Sequence, residues 1–496
     1  MVHASAYGRL EDIFARITLI EQSVGMLQWD TAAVMPPGGA VARGEQLAAL
    51  KSVAHGMLTD ADVGPMLDAA AGEALDPWQR ANLVEMRRDW LHAAAVPARL
   101  VEDLSRASTA CESLWRRARA EDDFSRVSAA LAEVLALTRE IAQIKSQALG
   151  VAPYDALLDQ YEPGGRMAAI DAMFDDLGRF LPGFLAEVLR RQPSAPPPPV
   201  GPFPVDLQRQ LGLEMMATLG FDFAHGRLDV STHPFCGGIP DDVRITTRYD
   251  EGDFMTGLMG ILHETGHALY EMGLPVAWRT QPVGRARGMS LHESQSLLME
   301  MQVCRSPEFF VFAAPRIARF FDSAGELVWN AEALRAATVR VQPGFIRVDA
   351  DEVTYPAHII LRYRLERALI AGELEVAGLP DAWNDGMVEL LGIRPPNDRL
   401  GCLQDLHWYD GAFGYFPTYT LGAMTAAQLF EAARQAMPGV LGSVSRGDFS
   451  PLLGWLRTHV HGLGSSLTAG DLLVAATGRP LDSAAFKTHL QQRYLA

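Results

Sequence analysis

"ILHETGHALYE", residues 261–271, sets two histidines four apart with a glutamate directly after the first. On an α-helix, residues four apart project from nearly the same side, about one turn along the axis. His263 and His267 can therefore aim their imidazoles at one ion, as a tetrahedral zinc site requires. Glu264 is rotated by about 100° and reaches a water beside the ion rather than the ion itself. There it would take the proton as that water attacks a carbonyl carbon, while the ion lowers the water's pKa. The competing reading is a core helix that happens to carry two histidines. Chance supplies roughly 0.02 such patterns in a chain of this composition, so the motif needs its context. Asp253 suits an N-cap, Gly273 a stop, and "FMTGLMGILHETGHALYEM" is strongly apolar around the histidines. A buried histidine pair without partners is costly, and metal ligation satisfies it.

A hydrolytic site needs a third protein ligand and an open fourth position. Glu271 shares the helix face but lies roughly 12 Å along the axis from His263, too far to meet the same ion. "SLHESQSLLMEMQ", 290–302, follows a turn-rich segment that can bring a second helix back against the first. Its Glu293 is a candidate ligand, with Glu300 and His292 as rivals. Ser290 and Glu293 also match a capping box, in which the glutamate would return to the helix start.

Outward from this segment the chain reads as mainly α. Residues 1–190 carry apolar positions at three- and four-residue steps, as in "YGRLEDIFARITLIEQSVGMLQ" and "FSRVSAALAEVLALTREIAQIKSQALG", the latter closing at Gly150. "QPSAPPPPVGPFP" (192–204) is a stiff, non-helical connection. "GRLDVST" (226–232) and "DVRITTRY" (242–249) read as strands separated by "HPFCGGIPD", a small β-sheet beside the HETGH helix. Helices then resume, and in "ADEVTYPAHIILRYRLERALIAG" Pro356 marks either a first turn or a kink. The expected organisation is one unit over 1–496, with a helical N-terminal part (1–190) and a catalytic part (205–496).

Composition narrows the function. A net charge of −17 argues against a nucleic-acid-binding surface. The first residues carry acids where a signal peptide needs an apolar core, and no apolar run is long enough to span a bilayer. Cys111, Cys236, Cys304 and Cys402 lack CxxC spacing, so reduced thiols in a cytoplasmic protein are expected.

The chain also resembles the carboxypeptidase Taq family of metallocarboxypeptidases. Six of its motifs occur in order: "HPF" (233–235), "DVRIT" (242–246), "HETGH" (263–267), "HESQ" (292–295), "IRVDAD" (346–351) and "GCLQDLHW" (401–408). "WDTAAVMPPGGAVARGEQLAAL" (29–50) and "YDALLDQYEPG" (154–164) are similar to that family as well. The resemblance implies that Glu293, the glutamate of "HES", completes a zinc site. It also implies a deep substrate groove in a helical fold, homodimers, and removal of single residues from peptide C-termini. Broad specificity with poor action next to proline follows from the same likeness, as does one zinc per chain, with cobalt able to support activity.

A carboxypeptidase must grip a free carboxylate, which the planar fork of arginine suits. Arg347 and Arg244 are the candidates. Arg347 could instead pair with Asp349 or Asp351, and Arg244 with Asp242. The resemblance favours Arg347 for the carboxylate and leaves Arg244 at the groove wall. His233 precedes a proline in an extended segment and could position the substrate backbone. The β element could add a peptide as an extra strand. For the oxyanion that develops on the attacked carbonyl, "DLHWYDGAFGYFPTY" (405–419) offers His407, Tyr409, Tyr415 and Tyr419, of which spacing favours His407 and Tyr415. Two rival functions share these features: an oligopeptidase or dipeptidyl carboxypeptidase of related fold, and an inactive homologue that binds peptides uncut.

Overall fold

The first helix, Ala6–Ala33, buries Tyr7, Leu10, Phe14 and Ile17 along one stripe, and the Ser5 side chain caps it by accepting from the Gly8 N–H. Helix follows helix from there to Arg191, and Ser125–Leu149 ends where Gly150 takes a left-handed conformation. The computed structural model describes residues 5–194, 199–321 and 329–496. Part of the proline-rich connection, 195–198, lies outside them. Among the described residues there are twenty α-helices and one three-stranded sheet, so the fold is mainly α. The four cysteines form no disulfide.

Two large apolar cores organise the helices. One joins residues of the N-terminal part, such as Trp115, Leu131 and Phe174, to late residues such as Trp383 and Phe486. The other holds Leu258, Leu262 and Leu269 of the HETGH helix against Phe309 and Leu452. Helix Pro417–Ala436 feeds both, with Leu421 and Met424 in the first and Leu429 in the second. Polar contacts also join early and late chain: Trp115 Nε1 donates to the Leu403 carbonyl over 2.9 Å.

The sheet has one strand more than the sequence pattern suggests. β1 (Gly226–Val230) runs parallel to β3 (Asp242–Thr247), while β2 (Phe235–Ile239) pairs antiparallel on the other side of β3. β2 lies inside the segment expected to be only a connection. Its glycines hide the strand signal and are what the packing requires. Gly238 has φ 87°, and a Cβ there would stand 2.2 Å from the Asp242 carbonyl oxygen. Val243 and Ile245 of β3 seat the sheet against Ile261 and Ala268 of the HETGH helix.

That helix spans Phe254–Gly273, and Asp253 caps it by accepting from the Met255 and Thr256 N–H groups. Gly273 is its last residue, and a Cβ there would lie 2.6 Å from His461 Nδ1. The HESQ helix, Gly288–Leu297, returns alongside and widens into a π turn at Leu298–Val303. The two helices meet backbone to backbone, since a Cβ on Gly266 would come 2.5 Å from the Gln295 carbonyl. Ser290 sits inside the helix, so the capping box that competed with a ligand role for Glu293 is not formed. Instead the Ser290 N–H donates to Glu162 (3.1 Å) and the Met289 N–H to the Tyr161 carbonyl (2.7 Å). Pro356 occupies the first turn of helix Tyr355–Ala371 and causes no kink.

Candidate metal centre

One helical turn brings His263 and His267 together, and the neighbouring helix brings Glu293 to them. Their ligand atoms all lie within 4.8 Å of one another. Glu293 Oε2 is 3.3 Å from His267 Nε2 and 3.9 Å from His263 Nε2. Gly422 of helix Pro417–Ala436 backs the glutamate so closely that a Cβ would stand 2.9 Å from Glu293 Cβ. Glu264, next to His263, is buried beside this cluster.

Each histidine is held from behind. His263 Nδ1 lies 2.9 Å from Glu300 Oε2, and Glu300 Oε1 accepts from Arg305 over 2.6 Å. His267 Nδ1 is 2.7 Å from His292 Nδ1, and His292 Nε2 is 2.8 Å from Glu271 Oε1. With neutral rings, one proton assignment satisfies the second chain: His292 donates to Glu271, and His267 donates to His292. His267 Nε2 then presents a lone pair toward Glu293 and the cluster. Glu300 and His292, read from sequence as rival ligands, thus stand one layer out. Glu271, set aside as too distant, anchors that layer.

The electrostatics of the cluster favour a cation. Burial opposes charge on His263, yet Glu293, the Glu300 hydrogen bond and Glu264 carry it up to about 10. Burial takes His267 down to about 4 despite its contact with Glu293. Burial also lifts Glu264 to about 7, against the pull of His263. The charges of Glu293, Glu264 and Glu300 thus favour a positive charge at this point. Two imidazole nitrogens and a carboxylate oxygen, each imidazole backed by a hydrogen-bond partner, form a donor set that fits zinc.

Across from the glutamate stands an aromatic and arginine layer. Burial raises the phenols of Tyr355, Tyr415 and Tyr419, and the Glu293 charge adds to each. Tyr415 packs edge-on against Tyr161 and Tyr419, with ring centroids 5.0 and 5.3 Å away. His407 Nε2 is 3.4 Å from the Tyr419 hydroxyl, its Nδ1 is buried without a partner among the described residues, and burial holds the ring down to about 4. His407 and Tyr415 are thus in one layer, with ring centroids 5.5 Å apart.

Arg347 pairs with neither Asp349 nor Asp351. Its Nε and Nη2 each lie 2.9 Å from Asp405 Oδ1. Arg362, fully buried, takes Asp405 Oδ2 at 2.6 Å. Burial alone would raise the Asp405 carboxyl, but Arg362 and Arg347 hold it well below the usual carboxylate range. Asp351 instead accepts from the Val353 and Thr354 N–H groups at a helix entry. The Arg347 guanidinium lies 4.9 Å from the Tyr419 ring centroid. Below this layer, buried Glu366 accepts from Tyr154, Trp408 and the Gly414 N–H. It thereby fixes the loop that carries Tyr415.

The remaining two candidates lie apart from this layer. Arg244 pairs with Asp242 over 2.6 Å and lies 4.5 Å from the Trp29 ring centroid, on the sheet face opposite Val243 and Ile245. His233 is exposed, and its ring makes no hydrogen bond among the described residues. Sequence reasoning missed Asp405, Arg362, Arg305 and Glu162, and it passed over Tyr419 in favour of Tyr415. Asp405 stood within "GCLQDLHW" beside His407, and an acid there was a visible partner for an arginine.

A helical chain that gathers an HExxH helix and a glutamate of the next helix around one point is a metallopeptidase. The pattern of the carboxypeptidase Taq (M32) metallopeptidases matches residues 9–494, and the chain belongs to that family. It is a metallocarboxypeptidase, a hydrolase acting on peptides. It is 40% identical over 514 residues to thermostable carboxypeptidase 1 of Thermus thermophilus, covering 100% of this chain and 99% of that one. Identity to carboxypeptidase 1 of Bacillus subtilis is 32% over 491 residues, 97% of each. The fold superposes on metallocarboxypeptidase 1 of Trypanosoma cruzi with a TM-score of 0.96 at 39% identity, covering 99% of both chains. Among the described residues no helix is long and apolar enough to cross a membrane.

Proposed function

We propose that the chain is a zinc-dependent carboxypeptidase that removes single residues from peptide C-termini, with His263, His267 and Glu293 as ligands and Glu264 as general base. The observation that carries this reading is the convergence of the three ligand atoms within 4.8 Å beside a buried Glu264. Zinc, when bound, would polarise the scissile carbonyl and acidify a water. Glu264 takes the proton of that water and passes it to the departing amine. Tyr415 and His407 donate to the oxygen on which negative charge develops.

Arg347 meets the terminal carboxylate. Asp405 occupies its Nε and Nη2, fixing the guanidinium while Nη1 is without a protein partner among the described residues. Arg244 and His233 contribute to the wall of a substrate groove. Broad specificity, with poor release next to proline, suits a site that holds the backbone terminus more firmly than the side chain. Cobalt would fill the same donor set. The enzyme acts as one unit over 1–496, as a cytoplasmic homodimer.

The test compares wild type, Glu264→Gln and Glu293→Ala for metal content and for release of residues from an N-blocked peptide. One zinc per chain and release of the last residue alone are expected in wild type. Glu264→Gln keeps its zinc and is inactive, and Glu293→Ala loses the metal. Release of dipeptides would replace the reading with a dipeptidyl carboxypeptidase. A metal-free wild type, or an active Glu264→Gln, would remove it.

A further inference from the structure

Away from the metal cluster, a cavity of about 340 Å³ opens between the first helices and helix Ser125–Leu149. Lys145 of that helix is among its lining residues and is only 6% exposed. Its Nζ donates to Gln160 Oε1 over 2.7 Å, its one hydrogen bond among the described residues. No described carboxylate comes within 4.0 Å of it. Lysine is seldom buried without a counter-charge, and an ammonium offers three donors.

The other cations of the cavity are answered. Arg285 meets Asp89 at 2.9 Å and Glu21 at 3.0 Å. His92 and Arg88 share Asp159, at 2.9 and 3.5 Å. Burial, with the charge of Arg88, lowers Lys145 to about 8 against the more distant pull of Asp159, so it is still mainly an ammonium at neutral pH. Phe14, Ile17 and Leu58 line the same space and give it an apolar side. The volume is at the lower end of the range for small-molecule sites.

We propose that this cavity binds a small carboxylate with an apolar body, its anionic end on the Lys145 ammonium and its hydrocarbon end on Phe14, Ile17 and Leu58. The ligand supplies the direct counter-charge that Asp159 gives only from a distance. A bare phosphate would satisfy the ammonium but not the apolar lining, which separates the two kinds of oxyanion.

The chain has three lysines, Lys51, Lys145 and Lys487, so acetylation by acetic anhydride can be read lysine by lysine on the intact protein by mass spectrometry. With 4-methylpentanoate at about 10 mM, acetylation of Lys145 is expected to fall roughly tenfold, as for an affinity of about 1 mM, while Lys51 and Lys487 are unchanged. Phosphate at the same concentration protects little. In Leu58→Trp, which fills the cavity, the protection disappears while peptide hydrolysis continues; this separates a local ligand from an effect relayed by the active site. A Lys145 that the anhydride cannot reach, no protection by 4-methylpentanoate, or undiminished protection in Leu58→Trp would each overturn the proposal. Equal protection by phosphate would overturn the carboxylate assignment.

Discussion

Glu300 Oε2 stands 2.9 Å from His263 Nδ1, while the Nε2 of the same ring is the atom 3.9 Å from Glu293. Under the proposed assignment, Glu300 supports a ligand rather than competing for the ion. Hydrogen-bond partners of this kind orient the imidazole and raise its basicity.

Replacing Glu300 by Gln keeps the shape and removes the charge. Zinc affinity is expected to fall by about 10–100-fold with the three ligands intact. Competition against a chromogenic chelator measures it, and an unchanged affinity would show that the contact has no bearing on the metal.

The second chain, from His267 through His292 to Glu271, makes a parallel prediction. His292→Phe preserves a ring beside Tyr270, whose centroid is 5.5 Å away, but cannot accept the His267 proton. Metal affinity should drop by about tenfold or more. Glu271→Gln, which leaves His292 an acceptor, should cost less. If both variants load zinc like wild type, the relay is structural only.

Arg347 and Arg244 separate by their partners. Arg347→Lys retains charge but loses the fork that Asp405 braces, so kcat/KM for a free C-terminus should fall by roughly 10–100-fold, the worth of one or two charge-assisted hydrogen bonds. Arg244→Gln, which breaks a half-exposed pair with Asp242, should cost a few-fold at most. Steady-state kinetics on peptides with free and amidated termini distinguish the two. A larger loss in Arg244→Gln would transfer the carboxylate to the sheet.

Glu366 gives stability a pH dependence of defined sign. Burial raises its carboxyl from the ordinary 4.5 to about 7, against the hydrogen bonds from Trp408, Tyr154 and Gly414. The folded chain thus holds a proton that the unfolded chain releases near 4.5. Its contribution is complete below that value, declines as pH rises, and is lost above about 7, a change on the order of 3 kcal/mol. Denaturant midpoints of Glu366→Gln measured from pH 4.5 to 8 should vary less than those of wild type. Equal pH slopes would mean that Glu366 is already ionised in the folded protein.

What was legible in the sequence was what helix geometry alone determines. Four-residue spacing placed His263 beside His267, Asp253 capped their helix, and periodicity marked the helical class. What was not legible depended on distant chain. Local spacing could not rank Glu293, Glu300 and His292, because the crossing at Gly266 and the pressure of Gly422 set which of them faces the histidines. The resemblance ranked them where geometry could not. Asp405 was missed for the same reason: its partners Arg347 and Arg362 lie 58 and 43 residues away in sequence. β2 was missed locally, since glycine carries no strand signal of its own.

The closeness of Gly422 to Glu293, and of His461 to Gly273 and Gln295, has a consequence for the order in which the molecule is made. Both ends of the HETGH–HESQ pair are braced by chain translated long after it. A nascent chain that stops near residue 400 already carries all three proposed ligands yet lacks the helix that presses Glu293 into place. Such a truncated chain should bind zinc poorly and cut nothing, whereas one extending past His461 should do both. On this account the peptidase stays silent on the ribosome, and its first competent moment comes late in synthesis. A zinc-loaded, active fragment ending near residue 400 would refute that timing.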